Sequence, residues 1–433
     1  MRLPRVSFTT ANSLKRNFES GELYFSHQRT QTDVSGCFVL LLIIELRMLT
    51  CRPTRFLALI LSLLTIAVAA WLPGYAKTSV DVALSQPLTV RWRYDSNFTL
   101  NLTPAFDSER IYLPLAGGTI VALRARDGEL YWRAELGGEL SASPVADDHT
   151  VYVASEMEAD TTKSAVGVRR ATGTLRALGR ESGITQWMRT LAMPLRGSLT
   201  KSGNKLIAGS EDGRVYAFDK NTGEVLWSLV YGARFNGQPV SVDGRVYAGN
   251  EDGNLLAIDE GTGRLLWRYR TKGAVRGPVA VAQGTVHFGS GDSYVYAVNA
   301  TNGHLSWRKR TGASVEAVAL AGETLLVASL DNFAYGFSLN GKRLWKRQLG
   351  GRISAQPLTA PDGALFTPLS ILAGVVLGLP DGRQINSLPT GEEITTSASP
   401  IAVGDAVLLT TQHGLLAFAR PGNNAKPMSQ KRN

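Results

Sequence analysis

The chain has 433 residues, 44% of them apolar and 19% charged, enough material for a large core and too apolar for a disordered protein. Its net charge is +10, but residues 77–433 account for only +6 of it, with no long basic run and no interleaved aromatic stripe. That excludes the clustered footprint expected of a nucleic-acid binder, and the scattered charges read as a solvated surface. The two cysteines, Cys37 and Cys51, precede the expected mature start, so a disulfide or a Cys-ligated metal in the folded part is excluded as well.

In chain order, residues 1–47 fit no export pattern and are read as a mis-assigned extension, with the true start at Met48. Arg52 and Arg55 then precede the apolar run 56–70, and Leu72-Pro-Gly-Tyr-Ala76 supplies small residues at a cleavage site. Residues 48–76 are therefore expected to be a signal peptide, or an N-terminal membrane anchor if uncleaved. The run is shorter than the ~20 apolar residues of a stable span. A linker is expected over 77–87 and a disordered tail over 421–433.

Between them, tryptophans mark a period. Trp92, Trp132, Trp187, Trp227, Trp267, Trp307 and Trp345 are separated by 40, 55, 40, 40, 40 and 38 residues, and Leu388 stands where the next would fall. Each unit reads as four short strands split by turn signals. In the fourth unit these are Asp243-Gly244, Asp252-Gly253 and Thr262-Gly263. Such a period predicts propeller blades. The second unit carries about 15 extra residues near 157–170, read as a surface loop. The region opens on a fourth-type strand at 88–94 and ends on second- and third-type strands. The expected fold is therefore all-β: an eight-bladed β-propeller over 88–420, closed by the N-terminal strand completing the last blade.

The unit pattern Tyr-x-Gly-x-x-Asp-Gly-x-x-Tyr-Ala-x-Asp-x-x-Thr-Gly-x-x-x-Trp is best met by Tyr216, Ala217, Asp219, Thr222, Gly223 and Trp227. Ala257, Asp259, Thr262, Gly263 and Trp267 meet it again. It resembles the repeat of the quinoprotein-type, pyrroloquinoline-quinone-like (PQQ-like) β-propellers over nearly the whole mature chain. In that family the tryptophans dock on Ala- and Gly-containing segments of a neighbouring blade. The resemblance thus implies structural roles for the seven tryptophans and for Gly223, Gly263 and Gly303.

Two branches of the family set the functional expectations. The chain is similar in length and plan to the exported, non-catalytic branch that includes the lipoprotein of the outer-membrane barrel-assembly machinery. This implies a periplasmic or envelope-associated scaffold, a monomer within a complex, with envelope or outer-membrane protein partners and no nucleic acid. Membrane association would come only through an uncleaved N-terminal segment. No cofactor, metal or catalytic residue is then expected. The alternative is a quinone-dependent alcohol or sugar dehydrogenase, or a ligand-binding relative, needing PQQ and calcium. The adjacent Cys pair of the alcohol enzymes is missing from this sequence. A carbohydrate-binding propeller is a third reading.

One candidate site emerges from the period. The ninth residue after each tryptophan-type position should open the strand lining a central channel. Those residues are Asn101, Ser141, Arg196, Asn236, Arg276, Glu316, Ser354 and Ser397, with Arg234 and Arg352 beside them. The set is either a wet channel mouth or an anion or peptide site built on Arg196 and Arg276, whose forked donors suit carboxylates. None of the five histidines is spaced for a metal, and His287 is expected to pack in the core.

Overall fold

In the computed structural model the described residues are 82–97, 99–158 and 171–421. The chain divides into two compact units, Met1–Lys77 and Thr78–Asn433, and every described residue belongs to the second. The expected extension, the leader, the tail and most of the second-unit loop lie outside the described residues. The flanks of that loop are strand: Thr150–Glu158 and Ala171–Gly179 form one long hairpin.

Among the described residues every regular element is a β-strand. Consecutive strands form antiparallel quartets over residues 105–135, 139–191, 195–230, 240–270, 280–310, 315–348 and 358–389. They are called the first to seventh quartets below. The second and third are joined into one eight-stranded sheet by a parallel contact of Gly197 and Ser198 with Ala142 and Ser143. The last quartet takes three strands from residues 401–419 and its outer strand, Thr89–Asp95, from the start of the described chain. Thr89 lies opposite Ala419 and Asp95 opposite Gly414.

Burial explains the patterning. Second and third strands are buried almost throughout, as in Asn254–Asp259, because neighbouring sheets cover both their faces. Fourth strands alternate, as in Leu265–Arg270, where Trp267 turns inward and Leu266, Arg268 and Arg270 face solvent.

The tryptophans hold the sheets together in a repeated manner. The residue before each one is skipped in the strand register, a bulge that re-aims the indole. Each indole then pairs with a small residue of its own sheet: Trp227 with Ala217, Trp267 with Ala257, Trp345 with Gly336 and Trp92 with Ala417. Its Nε1 donates to a turn carbonyl of the next quartet, as from Trp227 to Glu260 at 2.9 Å and from Trp267 to Ala300 at 2.9 Å. A glycine two or three residues beyond that carbonyl lies under the ring. Gly223, Gly263 and Gly303 have φ of 70°, 72° and 72°, and a Cβ there would stand 2.5–2.7 Å from Trp187, Trp227 and Trp267. No side chain beyond hydrogen fits, and the left-handed backbone favours glycine in any case.

Leu388 breaks this series for a physical reason. A tryptophan there would need the turn between the third and fourth strands of the following quartet. In the last quartet those strands are 414–419 and 89–95, and no turn connects them. Residues 82–88 occupy the region instead. The stretch expected to be a linker is thus packed in its second half. Val82, Leu84 and Leu88 are buried with Leu388, Val407 and Phe418. Asp362 accepts from Leu84 N and Ser85 N at 3.1 and 2.8 Å, and Asn386 Nδ2 donates to Leu84 O at 2.8 Å and Gln86 O at 2.6 Å.

Candidate functional site

The first strand of each quartet, and the segment leading into it, lines one cavity of about 890 Å³. Of the ring predicted from the tryptophan spacing, Asn101, Asn236, Arg276, Glu316, Ser354 and Ser397 reach the cavity wall. Ser141, Arg196, Arg234 and Arg352 do not.

The two arginines expected to receive an anion are engaged inside the chain. Arg196 Nη2 lies 2.5 Å from Glu156 Oε2 and its Nε 2.8 Å from Glu211 Oε1, a bridge between the second and third quartets. Burial works against the Arg196 charge, but these two carboxylates outweigh it and raise its pKa. Arg276 holds Glu251 with both fork nitrogens, Nε at 2.8 Å and Nη2 at 2.7 Å, and thereby ties the fifth quartet to the fourth. Asn236 Nδ2 donates to the same carboxylate at 3.0 Å. The Arg276 guanidinium lowers the pKa of Glu251. Glu316 stands 4.0 Å from Arg276 and accepts from the Ser314 hydroxyl. Arg234 and Arg352 are exposed and make no ion pair among the described residues. The Arg234 charge acts on the Glu251 carboxylate through space, while Glu251 N donates to Arg234 O at 3.1 Å.

Sequence reasoning passed over a second set of residues, two positions further along. Gln356 N donates to Ser399 Oγ at 3.1 Å, Ser399 N to Thr103 Oγ1 at 3.0 Å, and Thr103 N to Ser143 Oγ at 3.0 Å. These bonds run from the seventh quartet through the last and the first to the second, crossing the place where the two ends of the fold meet. A proline follows each of the four residues, so the inner edge strands have one backbone donor fewer to offer. A small polar or amide residue before proline, standing at the same place after Trp92, Trp132, Trp227, Trp345 and Leu388, was the signal available.

The cavity wall is thus made of hydroxyls, amides and backbone, with its charged groups already paired. Among the described residues no group of three or more His, Cys, Asp or Glu side chains is placed to hold a metal ion. Calcium takes about 6–8 oxygen ligands, carboxylates prominent among them, and Glu316 is the only carboxylate among the described residues of the wall. The acidic turns serve the fold. Asp212 accepts from Arg214 N at 3.0 Å and from the Tyr216 hydroxyl at 2.6 Å. His287 is fully buried against Trp307, 5.6 Å between ring centres, where other quartets place Tyr112, Tyr152 or Tyr247.

Radially packed quartets of this kind, tied by tryptophan to glycine, define a β-propeller of PQQ-like repeats. The family model described as outer membrane protein assembly factor BamB matches residues 77–169, 171–275 and 251–432, and the chain belongs to that family. No curated protein sequence matches. Among solved structures the chain is similar to BamB from Moraxella catarrhalis, with TM-score 0.64 and 16% identity over 79% of this chain and 100% of that one. It is also similar to the computationally designed Ika8 protein, with TM-score 0.66 and 15% identity over 76% and 99%. A third is the quinohemoprotein alcohol dehydrogenase from Comamonas testosteroni, with TM-score 0.63 and 13% identity over 82% and 79%. At these identities the likenesses show the fold alone.

Proposed function

We propose that this chain is an exported, non-catalytic propeller that serves as a protein-interaction scaffold in the cell envelope, in the assembly of outer-membrane β-barrel proteins. We further infer that its quartets are eight blades of a ring closed by Thr89–Asp95. The pairing of that strand with Gly414–Ala419 and the Gln356–Ser399–Thr103–Ser143 bonds support closure. Domain limits at residues 76–77 and 420–421, and a leader over 48–76, belong to the same reading.

The observation that carries the functional reading is the paired state of the charges at the cavity. Arg196 and Arg276 are each engaged with carboxylates that bind neighbouring sheets to one another. In a member of this family, that favours a scaffold over a dehydrogenase. Cross-linking in intact envelopes followed by mass spectrometry should recover subunits of the β-barrel assembly machinery. Recovery of background alone would remove the scaffold reading. Dye-linked oxidation of alcohols or sugars by the purified chain with PQQ and Ca²⁺ would replace it with the dehydrogenase one.

A further inference from the structure

The basic residues that look scattered along the chain are gathered by the fold. Strands far from the cavity form the outer edges of the sheets, and three consecutive ones read Leu-Leu-Trp-Arg-Tyr-Arg (265–270), Leu-Ser-Trp-Arg-Lys-Arg (305–310) and Arg-Leu-Trp-Lys-Arg-Gln (343–348). The sequence places them about one repeat apart. The Trp267–Ala300 and Trp307–Leu339 bonds place their sheets side by side. Their cations are exposed, no Asp or Glu stands on any of the three, and none of them forms an ion pair among the described residues. On other outer edges cations are mostly neutralised, although Arg189 on Thr185–Leu191 donates to Gly223 O instead. Arg91 pairs with Asp405, Arg93 with Asp95, and Arg133 with Glu135, while Val225–Val230 carries no charge at all.

We propose that this three-strand wall is a docking surface for an anionic lipid bilayer, through its phosphate headgroups. The charge is complementary and unneutralised. The surface is a run of sheet edges, and the cavity described above lies elsewhere, along the first strands. Spread over three neighbouring sheet edges, the charge suits a diffuse sheet of negative charge. One exposed leucine per strand, Leu266, Leu305 and Leu344, adds apolar contact at headgroup depth. The wall does not depend on the scaffold reading, and it gives the folded unit a membrane contact besides any made by the N-terminal segment.

The test is sedimentation of the full-length chain with phosphatidylcholine vesicles and with vesicles in which a third of the lipid is phosphatidylglycerol. The apolar run at 56–70 contributes to both, so the difference between them reads the wall. Tighter binding to the anionic vesicles is expected, lost when salt shortens the Debye length to about 3 Å. The variant R308Q/K309Q/R310Q should weaken that binding about a hundredfold, at about fivefold per cation. R343Q/K346Q, on the neighbouring sheet, should weaken it about 25-fold and guards against misfolding of the first variant. R91Q, which removes a cation already paired with Asp405, should leave it unchanged. Equal binding to both vesicles, or anionic binding that survives both wall variants, would overturn the proposal. So would retention on duplex DNA or polyglutamate-coated beads with none on anionic vesicles, and the wall would then be assigned to nucleic acid or to an acidic protein.

Discussion

Single residues in this protein carry measurable consequences because the same contact is repeated with small variations. Gly263 and Gly244 share a left-handed backbone, with φ of 72° and 71°, but only Gly263 lies beneath an indole, and a Cβ on Gly244 would meet nothing within 4 Å. Gly244→Ala should cost about 1 kcal/mol and Gly263→Ala about 3 kcal/mol in urea denaturation, the difference reporting the Trp227 contact. Asp107 is a second case. Burial alone would push its carboxyl up. Arg180 Nε at 2.7 Å, the Tyr112 hydroxyl at 2.6 Å and two backbone N–H groups outweigh that and hold its pKa at about 2. A depressed carboxylate stabilises the fold above its unfolded pKa, near 4, and loses that contribution as the pH falls toward 2. Asp107→Asn should therefore cost ~2 kcal/mol at neutral pH, and the gap from the unaltered chain should close over that acid window. His287 is a third case. Burial lowers its pKa, so the unfolded chain binds the proton first and stability falls below about pH 6.5. His287→Tyr, the residue found in other quartets, should flatten that limb of a stability–pH profile.

At the level of the element, the strands and their order were legible because Asp-Gly and Thr-Gly turns and the tryptophan period are local signals. Leu388 was legible as an irregularity but not as a solution, since the reason for it lies in residues 82–88, about 300 positions away in the sequence. Leu388→Trp should therefore destabilise the fold by about 1–3 kcal/mol, not repair it, because the added indole has no glycine turn to cover. Asp362→Ala should release residues 84 and 85, at about 1–3 kcal/mol, and limited proteolysis should then cut near them. The candidate site was legible only in half. The spacing rule found Asn236, Arg276 and Glu316 on the cavity wall, but it could not show that Glu156, Glu211 and Glu251 reach across to Arg196 and Arg276. Glu156 sits on a strand and Glu211 and Glu251 in turns, and the partner is not set by the repeat: Arg196 reaches Glu211, 15 residues on, whereas Arg276 reaches Glu251, 25 residues back.

For the folded unit as a whole, the decisive pairing is between its first and last strands. A chain begun after Asp95 would leave Gly414–Ala419, a strand of glycine, alanine, leucine and phenylalanine, as a bare edge without a charge. Such an edge pairs with other chains, so light scattering should show association where the full chain is monodisperse. The repeat period made the quartets legible at this scale, and the same period concealed the basic wall. Cations one repeat apart look dilute on a line and become contiguous when the units stack. The outer strand of the last sheet also sets an order in time. It is synthesised before its partner by almost the whole length of the fold, and it has no other sheet to join until residues 414–419 exist. Joining segments so distant in sequence is slow, and until it happens the first and last sheets stay unlocked. A nascent chain built this way cannot complete its last sheet until its synthesis is nearly finished.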